Sequence, residues 1–338
     1  MGNCHQREQD SSFSIVSQLN FQTPIGRGSF GIVWRAVYKP TNLTMAVKVF
    51  VKSQIPSKEA LLCILKERQI LTYLNHPFLI NMHFAFHDIK KLYLGLDYKP
   101  GGDLRYHMLR KSFTESQTKF IIACILEGLS YIHSKNIIHK DLKPENVIFN
   151  EQGYAFLTDF GTASVYNHSN SNETSGTPGY MAPEVICRQQ HSFVSDYFAL
   201  GVILYEIIMG TRPYLGRNRK EIREKIMESQ AKITENNVAP GWSLQAADLC
   251  NKLLKRKPNG RIGANGVEEV KGHCWFDDVN FMGISNFEVK PEFCPAGNEN
   301  YDYDHVNFYG RRILARKDNF NRDEFSGYFY LPEINTSA

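Results

Sequence analysis

The sequence lacks any long run of apolar residues. Its longest, Tyr197–Met209, is too short to cross a bilayer and is typical of a buried helix. No apolar stretch near the first residue has the form of a signal peptide, so secretion is not expected. These absences favour a cytoplasmic protein.

Paired cysteines and a strong charge of one sign are also missing. The seven cysteines show no Cys-x-x-Cys spacing and lie mostly within apolar segments, which indicates reduced thiols in a cytosolic protein. The net charge is +4, and lysine and arginine are scattered among nearly as many acidic residues. This mild, unclustered charge gives no support for nucleic-acid binding.

The first part of the chain is rich in strand-like segments. Residues 1–18 are polar and unpatterned, and one amphipathic helix, Lys58–Tyr73, is predicted from apolar residues at three- and four-residue spacing. Short β-type runs surround it: Ile32–Tyr38, Met45–Val51 and Leu92–Leu96. Gly101 and Gly102 then mark a boundary.

The pattern after this boundary is mainly helical. Glu115–Ser134 is apolar on nearly all sides, and Ser195–Met209 carries a serine and an aspartate at its start, which are typical of a helix N-terminus. The polar stretch Tyr166–Gly176 is too rich in Asn and Ser to pack and is predicted to be a loop. No internal repeat is visible.

A glycine-rich turn, Gly26–Gly31, lies between two β-type runs. Without side chains, its backbone N–H groups could approach phosphates, although a glycine-rich hairpin without a ligand is the alternative. Lys48 lies within an apolar strand, where a buried ammonium needs an anionic partner. Glu67 on the predicted helix is the expected partner, and the pair could hold the α- and β-phosphates; a surface lysine is the other interpretation.

A more specific signal is formed by three motifs in a fixed order: His139–Asn146, Asp159–Gly161 and Ala182–Glu184. Phosphoryl transfer needs magnesium ligands, a carboxylate near the incoming hydroxyl and cations that offset developing charge. Asp141 can orient the hydroxyl and take its proton, and Lys143 can neutralise the γ-phosphate. Asn146 and Asp159 can hold magnesium through oxygen.

These segments resemble the signature set of protein kinases from Phe21 to Phe276. Within that family the chain is similar to the AGC group in five segments: Asn75–Leu79, Gly101–Leu104, Gly176–Glu184, Arg261–Gly263 and Gly272–Phe276. Gly101–His107 looks like the YANK kinases, and the last segment resembles the cyclic-nucleotide-dependent kinases, including the cyclic-AMP-dependent kinase.

The resemblance implies an α+β, bilobal protein-kinase fold. A small β-rich N-lobe with one main helix would cover about 19–96, and a larger, mainly helical C-lobe about 103–276, within a kinase domain of 19–276. An AGC-like tail would follow at 277–338. The implied reaction uses ATP and Mg²⁺, with Mn²⁺ as a substitute, to phosphorylate Ser/Thr hydroxyls of protein substrates. We expect a monomer.

The resemblance also assigns ATP-binding positions. Leu96 would be the gatekeeper, the residues from Asp97 to Lys99 would contact adenine, and Ile148 would line the ring slot. Simple packing is the alternative for most of these residues. The full expected set is Ile25, Gly26, Arg27, Gly28, Ser29, Phe30, Gly31, Val33, Ala46, Lys48, Glu67, Leu96, Asp97, Lys99, Asp103 and Ile148.

Substrate contacts follow from the same resemblance. Asp103, Glu145 and Glu206 match positions that bind Arg or Lys two or three residues before the target hydroxyl, which predicts a basophilic enzyme; ribose-binding or surface acids are the alternative. Thr177 is a further expected substrate-binding residue. Lys143 is typical of serine/threonine rather than tyrosine kinases.

Two structural roles are implied as well. Glu184 and Arg261 would form a buried ion pair, and Asp196 would hold the backbone of the catalytic loop from the helix below it.

The chain departs from the family at two positions with a regulatory meaning. Lys140 replaces the arginine that usually precedes the catalytic aspartate, and Glu173 stands where many AGC kinases carry phosphothreonine. A fixed carboxylate and a lysine can form a simple ion pair, whereas a phosphate benefits from an arginine fork. A solvated loop glutamate is the alternative. Thr174 and Ser175 remain candidate phosphorylation sites.

The two ends of the chain carry further motifs. Phe325–Tyr330 resembles the AGC hydrophobic motif that docks on the small lobe, with Phe329 at the usual phosphoacceptor position. Met1–Cys4 suggests myristoylation of Gly2 and palmitoylation of Cys4, and hence attachment at the inner face of a membrane. Gln6 stands at the position where myristoylation prefers Ser or Thr, so an unmodified polar tail is the alternative.

Two other protein classes compete with the enzyme hypothesis. A pseudokinase scaffold would usually have lost one of the catalytic residues, whereas all of them are present. A small-molecule kinase on a related fold is disfavoured because Gly176–Glu184 resembles a peptide-docking segment of protein kinases.

Overall fold

The computed structural model describes residues 15–28, 30–167, 175–189, 192–296, 322–325 and 327–331. The chain forms two compact units. The small unit contains residues 1–75, 80–99 and 301–338, and the large unit contains residues 76–79 and 100–300. Some residues with predicted roles lie outside the described parts of the chain: Gly2, Cys4, Ser29, Glu173 and Thr174.

The small unit is built on a five-stranded antiparallel sheet in the order β1-β2-β3-β5-β4. β-Branched and aromatic residues fill its strands, which suits a pleated and half-buried surface. The central strand β3 is buried along most of its length. The strands are β1 (Leu19–Arg27), β2 (Ile32–Tyr38), β3 (Leu43–Val51), β4 (Met82–His87) and β5 (Lys91–Asp97).

One long helix, α1 (Lys58–Tyr73), belongs to the small unit, and its bounds are those predicted from the sequence. Ser57 caps it, because the serine side chain accepts a hydrogen bond from the backbone N–H of Ala60 (3.3 Å). The apolar positions of the 3.6-residue period are buried, as Ile64 shows. Glu67 is a charged residue on this buried face.

The large unit is mainly helical. Thr114 and Gln117 form a capping box at the start of the helix Glu115–Ser134, which explains why this predicted helix begins where it does. The helices are α2 (Leu104–Met108), α3 (Glu115–Ser134), α4 (Pro183–Ile186), α5 (Val194–Met209), α6 (Arg219–Glu228), α7 (Leu244–Leu253), α8 (Val267–Lys271) and α9 (Phe281–Ser285).

Two short antiparallel strand pairs complete the large unit and border its catalytic segments. They pair β6 (Ile137–Ile138) with β9 (Ser164–Val165), and β7 (Val147–Phe149) with β8 (Ala155–Leu157). The expected α+β class, with a small β-rich part and a larger helical part, is therefore confirmed. None of the helices among the described residues is long and apolar enough to cross a membrane.

Helix α5 is buried on nearly every side, as its apolar sequence predicted. It ends at Gly210, whose φ of 69° lies in the left-handed region that favours glycine. The predicted start signal was wrong. The first residue outside the helix is Phe193, which provides no side-chain cap, and the Ser195 hydroxyl donates instead to the carbonyl of Ser192 (2.8 Å).

A buried ion pair joins Arg261 to Glu184 of α4, beside the first residue of α5. The Arg261 guanidinium donates to both carboxylate oxygens of Glu184 (2.6 and 2.9 Å) and to the carbonyl of Val194 (2.8 Å). The sequence prediction of this pair is confirmed. Because both charges are removed from water, the matched fork geometry is what makes their burial tolerable.

The tail pairs with one edge strand of the small unit's sheet. Tyr330 forms an antiparallel bridge with Ala85 of the edge strand β4, with N···O distances of 2.8 and 2.7 Å. Phe325 and Tyr328 are buried, and Arg68 donates to the carbonyl of Phe329 (2.6 Å). The predicted docking of the hydrophobic motif on the small unit is confirmed, and main-chain pairing together with aromatic burial holds it there.

We expect Tyr328→Ala to lower the free energy of unfolding by about 3 kcal/mol, because the ring is only 1% exposed. Tyr328→Phe should instead be neutral or raise it by about 1 kcal/mol. The phenol oxygen is buried and has no hydrogen-bond partner in the described parts of the chain, so its removal ends a desolvation cost. Chemical denaturation of the full chain measures both changes.

Leu331→Ala is the matched control for this test, since Leu331 is 42% exposed in the same segment. Its stability should stay within about 0.5 kcal/mol of the wild type. Wild-type stability in Tyr328→Ala would show that the docked tail does not contribute to folding.

Candidate active site

The lysine and the glutamate predicted to bind phosphate meet in the small unit. The Lys48 ammonium on β3 lies 2.7 and 2.9 Å from the two carboxylate oxygens of Glu67 on α1, and both residues are buried. The pairing of two sequence-predicted residues is thus confirmed. A buried ion pair between a strand and a helix holds the ammonium at a fixed position.

The glycine-rich turn passes directly over this lysine. The N–H of Gly28 donates to the carbonyl of Gly31 (2.9 Å), which closes the turn. A Cβ atom at Gly28 would lie 2.9 Å from the Lys48 side chain, and one at Gly31 would lie 2.6 Å from the carbonyl oxygen of Val49. At Gly31 the close neighbour is backbone, so a side chain would require the strand below to shift, whereas at Gly28 it is the flexible end of the Lys48 side chain.

The other predicted nucleotide-binding residues of the small unit line the same sheet. Val33 is paired with Lys48 across β2 and β3, and Ala46 is paired with Leu96 across β3 and β5. The remaining ones lie on β1, in the glycine-rich turn, or at the end of β5: Ile25, Gly26, Arg27, Phe30, Asp97 and Lys99. Ser29 lies outside the described residues.

Asp97 has an internal role that the sequence did not reveal. Its carboxylate accepts hydrogen bonds from the backbone N–H of Asn81 (3.1 Å) and lies 2.8 Å from Nε2 of His83. Burial alone would raise the pKa of Asp97, but the hydrogen bond with His83 and the nearby Lys99 charge lower it. Because the Asp97 carboxylate is engaged in these contacts, the backbone of Asp97 is the part of the residue that could contact a ligand.

In the large unit, Asp196 holds the catalytic loop. Its buried carboxylate accepts hydrogen bonds from the backbone N–H groups of His139 (2.9 Å) and Lys140 (3.0 Å). Nε2 of His133 lies 2.9 Å from the same carboxylate. Lys140 adopts a left-handed backbone with φ of 67°, a strained conformation that these bonds offset. The predicted loop-supporting role of Asp196 is confirmed.

Asp141, the predicted base, is held from both sides. One carboxylate oxygen accepts hydrogen bonds from the backbone N–H and the hydroxyl of Thr177, both at 2.7 Å. The other lies 2.6 Å from the Lys143 ammonium, which also donates to the Thr177 hydroxyl (3.0 Å). Three predicted residues therefore form one network within the large unit.

Asn146 and Asp159 fit the expected magnesium ligands. The Asn146 amide nitrogen donates to the carbonyl of Asp141 (2.8 Å), so the amide group is oriented by its nitrogen and its oxygen remains the chemically suitable ligand atom. Asp159 has a left-handed backbone with φ of 62°, a conformation that is costly for an aspartate and typical of functional positions. Amide and carboxylate oxygens are the ligands that Mg²⁺ prefers.

Asp103 and Ile148 are neighbours in the large unit, joined by an antiparallel bridge. The Asp103 carboxylate caps α2, accepting a hydrogen bond from the N–H of Tyr106 (2.7 Å). Burial raises the pKa of Asp103 to about 6. This capping role is a structural one, in addition to the two ligand roles expected from the sequence.

The two other acidic residues predicted to contact substrate, Glu145 and Glu206, are both bound by Arg105. Its guanidinium donates to Glu206 through two bonds (2.8 and 3.0 Å) and to Glu145 through one (3.0 Å). Sequence reasoning missed Arg105, because this residue and Glu206 are 101 positions apart. Only the folded structure, which brings the Arg105 guanidinium next to the two carboxylates, reveals this role.

Of the predicted regulatory residues, Lys140 and Ser175 are described. Lys140 donates its backbone N–H to Asp196, as given above, while the Ser175 hydroxyl oxygen is buried and has no hydrogen-bond partner within the described ranges. Glu173 and Thr174 lie outside them. The proposed Lys140–Glu173 pair therefore stays a prediction.

Comparison with known proteins extends these findings. Residues 19–276 match the family described as "Protein kinase domain". A probable serine/threonine-protein kinase of Dictyostelium discoideum is 37% identical over 302 residues, 87% of this chain and 65% of that protein. Human serine/threonine-protein kinase Sgk1 is 37% identical over 284 residues, 82% of this chain and 65% of that protein.

Chicken ribosomal protein S6 kinase 2 alpha is 35% identical over 300 residues, which cover 86% of this chain. The chain spans 39% of that relative. It also spans about two-thirds, 65%, of the Dictyostelium and human relatives.

The raised pKa of Asp103 predicts a pH-dependent stability. A carboxyl with a folded-state pKa of about 6 and an ordinary value of 3.8 binds its proton more tightly when folded. The free energy of unfolding should therefore fall as pH rises from about 4 to 6, by at most about 3 kcal/mol. Asp103→Asn keeps a capping oxygen and should remove this part of the pH dependence, as measured by denaturation at each pH.

Glu151→Gln, at an exposed turn of the large unit, is the control and should follow the wild-type pH profile. An Asp103→Asn profile parallel to the wild type would contradict a raised pKa of Asp103 in the folded chain.

Proposed function

The chain belongs to the protein kinase family, with AGC-group relatives, and from that premise we propose that it transfers the γ-phosphoryl group of ATP to Ser or Thr hydroxyls of proteins. The observation that supports this most directly is the Asp141 network. Its carboxylate is buried, oriented by Thr177 and placed beside the Lys143 cation. Such a group can accept a hydroxyl proton while a neighbouring cation offsets the charge that develops on phosphate.

The remaining parts of the chemistry have their own residues. In the small unit, Lys48 offers a fixed ammonium for phosphate oxygens. In the large unit, Asn146 and Asp159 would hold Mg²⁺, which when bound neutralises phosphate charge. Residues of the chain would thus bind the phosphates and Mg²⁺, orient the acceptor hydroxyl and take up its proton. Phosphoryl transfer requires these three contributions from a protein.

Several features support Ser/Thr residues of proteins as the acceptors. Lys143 follows the catalytic aspartate in the pattern typical of serine/threonine kinases, and the relatives named above are serine/threonine kinases. A pseudokinase scaffold is the rival, and it is disfavoured because Lys48 and Glu67 are paired and Asp141 is oriented. The basic substrate preference expected from the sequence stays a prediction, and Arg105 bears directly on it.

The first test of the proposed function is loss of turnover. Lys48→Met, Asp141→Asn and Asp159→Ala should each lower the Mg²⁺- and ATP-dependent phosphorylation of a Ser/Thr peptide library by about a hundredfold or more. The three changes remove the phosphate cation, the proton acceptor and a magnesium ligand. Incorporation of the γ-phosphoryl group into peptides measures each loss.

Asp277→Asn, a change to an exposed aspartate of the large unit, should keep wild-type turnover and serves as the control. Circular dichroism shows whether each variant is folded. Near-normal rates in folded Asp141→Asn would contradict the role of Asp141 as proton acceptor, because the change keeps the shape of the side chain and removes its basicity.

Activity without phosphorylation of the activation loop is part of the same proposal. Glu173 supplies a fixed negative charge at the usual phosphothreonine position, and Lys140 is the cation that could meet it. The buried hydroxyl of Ser175 is a poor acceptor for another kinase in this conformation. An exposed pair of this kind contributes only about 0 to 1 kcal/mol, so activity should be partial and salt-sensitive.

Phosphatase-treated protein should therefore remain active, with Thr174 and Ser175 bare by mass spectrometry. Glu173→Lys should lower activity strongly through like-charge repulsion with Lys140, whereas Thr174→Ala should have little effect. Full activity in Glu173→Lys, or an inactive dephosphorylated wild type, would favour an ordinary phosphorylation switch at Thr174 or Ser175.

A cytoplasmic location at the inner face of a membrane, through acylated Gly2 and Cys4, also stays a proposal. It depends only on the sequence of the first four residues, which lie outside the described part of the chain.

A further inference from the structure

Two of the three carboxylates expected to bind a basic substrate residue are already bound by a guanidinium of the chain itself. Arg105 lies on α2, Glu206 on α5 and Glu145 in a 3-10 turn that directly follows the catalytic Lys143. All three belong to the large unit. Short-range sequence pairing does not explain the cluster, because it joins three separate elements.

Every oxygen of Glu206 is used within this cluster. One oxygen accepts from Nη1 of Arg105 (2.8 Å), and the other accepts from Nη2 (3.0 Å) and from the Tyr180 hydroxyl (2.6 Å). The Tyr180 hydroxyl also contacts Nη2 of Arg105. Bidentate pairing of a guanidinium with a carboxylate is among the strongest hydrogen-bonded contacts that an arginine forms. A substrate arginine would bind Glu206 through the same contact.

Glu145 is less occupied. One of its oxygens accepts from Nε of Arg105 (3.0 Å), and its side chain is 44% exposed, compared with 9% for Glu206. The two glutamates carry two negative charges and Arg105 carries one positive charge, so a single negative charge remains. This remaining charge lies largely on the more exposed and better screened carboxylate, where an added cation gains little.

Arg105 is held firmly as a cation. Burial alone would lower its pKa, but the hydrogen bond with Glu206 and the nearby charges raise it further above its ordinary value. Its side chain is 21% exposed. A substrate arginine would have to displace a partner that is covalently part of the same molecule, and therefore always present at a high effective concentration.

We propose that Arg105 acts as a specificity-determining residue that fills the carboxylate site of Glu145 and Glu206, so that the chain does not select Arg or Lys at the substrate position those glutamates would read. The inference rests on the proposed function and narrows its substrate class. Substrates would then be chosen by features other than a basic residue at the position that Glu145 and Glu206 would read. Removal of Arg105 would expose two unpaired carboxylates and create the basic preference.

The closing experiment compares peptide selectivity of the wild type with that of Arg105→Met. Peptides carry Arg or Ala at the second or the third residue before the serine, and kcat/KM is measured for each. The wild type should favour Arg over Ala by less than about threefold. Arg105→Met should favour Arg by about tenfold or more at one of these positions, mainly through KM, which corresponds to about 1.4 kcal/mol.

Three further variants separate specificity from folding. Arg110→Met removes a positive charge just after α2 that contacts Tyr106 and no carboxylate of the cluster, so its selectivity should match the wild type. Arg105→Lys keeps the charge without the fork and should give a smaller gain than Arg105→Met. Adding Glu206→Gln to Arg105→Met should abolish the gain, a result that a purely structural role of Arg105 would not produce.

A binding measurement makes the inference independent of catalysis. Calorimetry with peptides that carry Ala in place of the target Ser should show tighter binding of the Arg peptide to Arg105→Met than to the wild type. If no peptide is phosphorylated but this gain is seen, the proposed function fails, whereas the filling of the Glu145 and Glu206 site by Arg105 is still supported. Wild-type selectivity for Arg equal to that of Arg105→Met, or no gain in binding by either Arg105 variant, overturns the inference.

Discussion

The catalytic loop depends on one buried carboxylate. Asp196 accepts hydrogen bonds from two successive backbone N–H groups, those of His139 and Lys140, and lies within 2.9 Å of Nε2 of His133. Burial by itself would raise the pKa of Asp196, and the contact with His133 lowers it, so the group stays ionised and keeps accepting. Because Asp141 directly follows Lys140, the backbone of the residue proposed as the base is held through the hydrogen bonds of Asp196.

Two other buried charges among the described residues are each paired with an opposite charge. Lys48 is matched by Glu67, and Arg261 is matched by Glu184, each at hydrogen-bonding distance. An unpaired charge at these positions would cost several kcal/mol, so each pair fixes the geometry of the elements that carry it. In the small unit, the buried Tyr328 ring packs in a tail segment held by Arg68, one residue after Glu67 on the same helix. The same helix, α1, therefore contributes both to docking of the tail and to the position of the Lys48–Glu67 pair.

Elements with strong local signals could be predicted from the sequence. The helix Lys58–Tyr73 has a serine cap and a regular apolar period, and the helix Glu115–Ser134 has a capping box, so their bounds follow from local chemistry. The start of α5 was predicted for the wrong reason. Asp196 looked like a helix-start residue, but its carboxylate is used 56 residues earlier in the chain, a tertiary contact that no local pattern reveals.

The motif His139–Asn146 could also be recognised from the sequence, because its residues lie within one short segment at a characteristic spacing. Arg105 shows where such reasoning ends. Its residue type and its place on a short helix suggest only a solvated surface charge, and nothing within several residues marks it as a partner of Glu206. A carboxylate pair can bind either an incoming guanidinium or one from its own chain, and the fold, not the motif, decides between them. Motif residues therefore predict the reaction, whereas the substrate preference proposed for this chain depends on the residues that surround them.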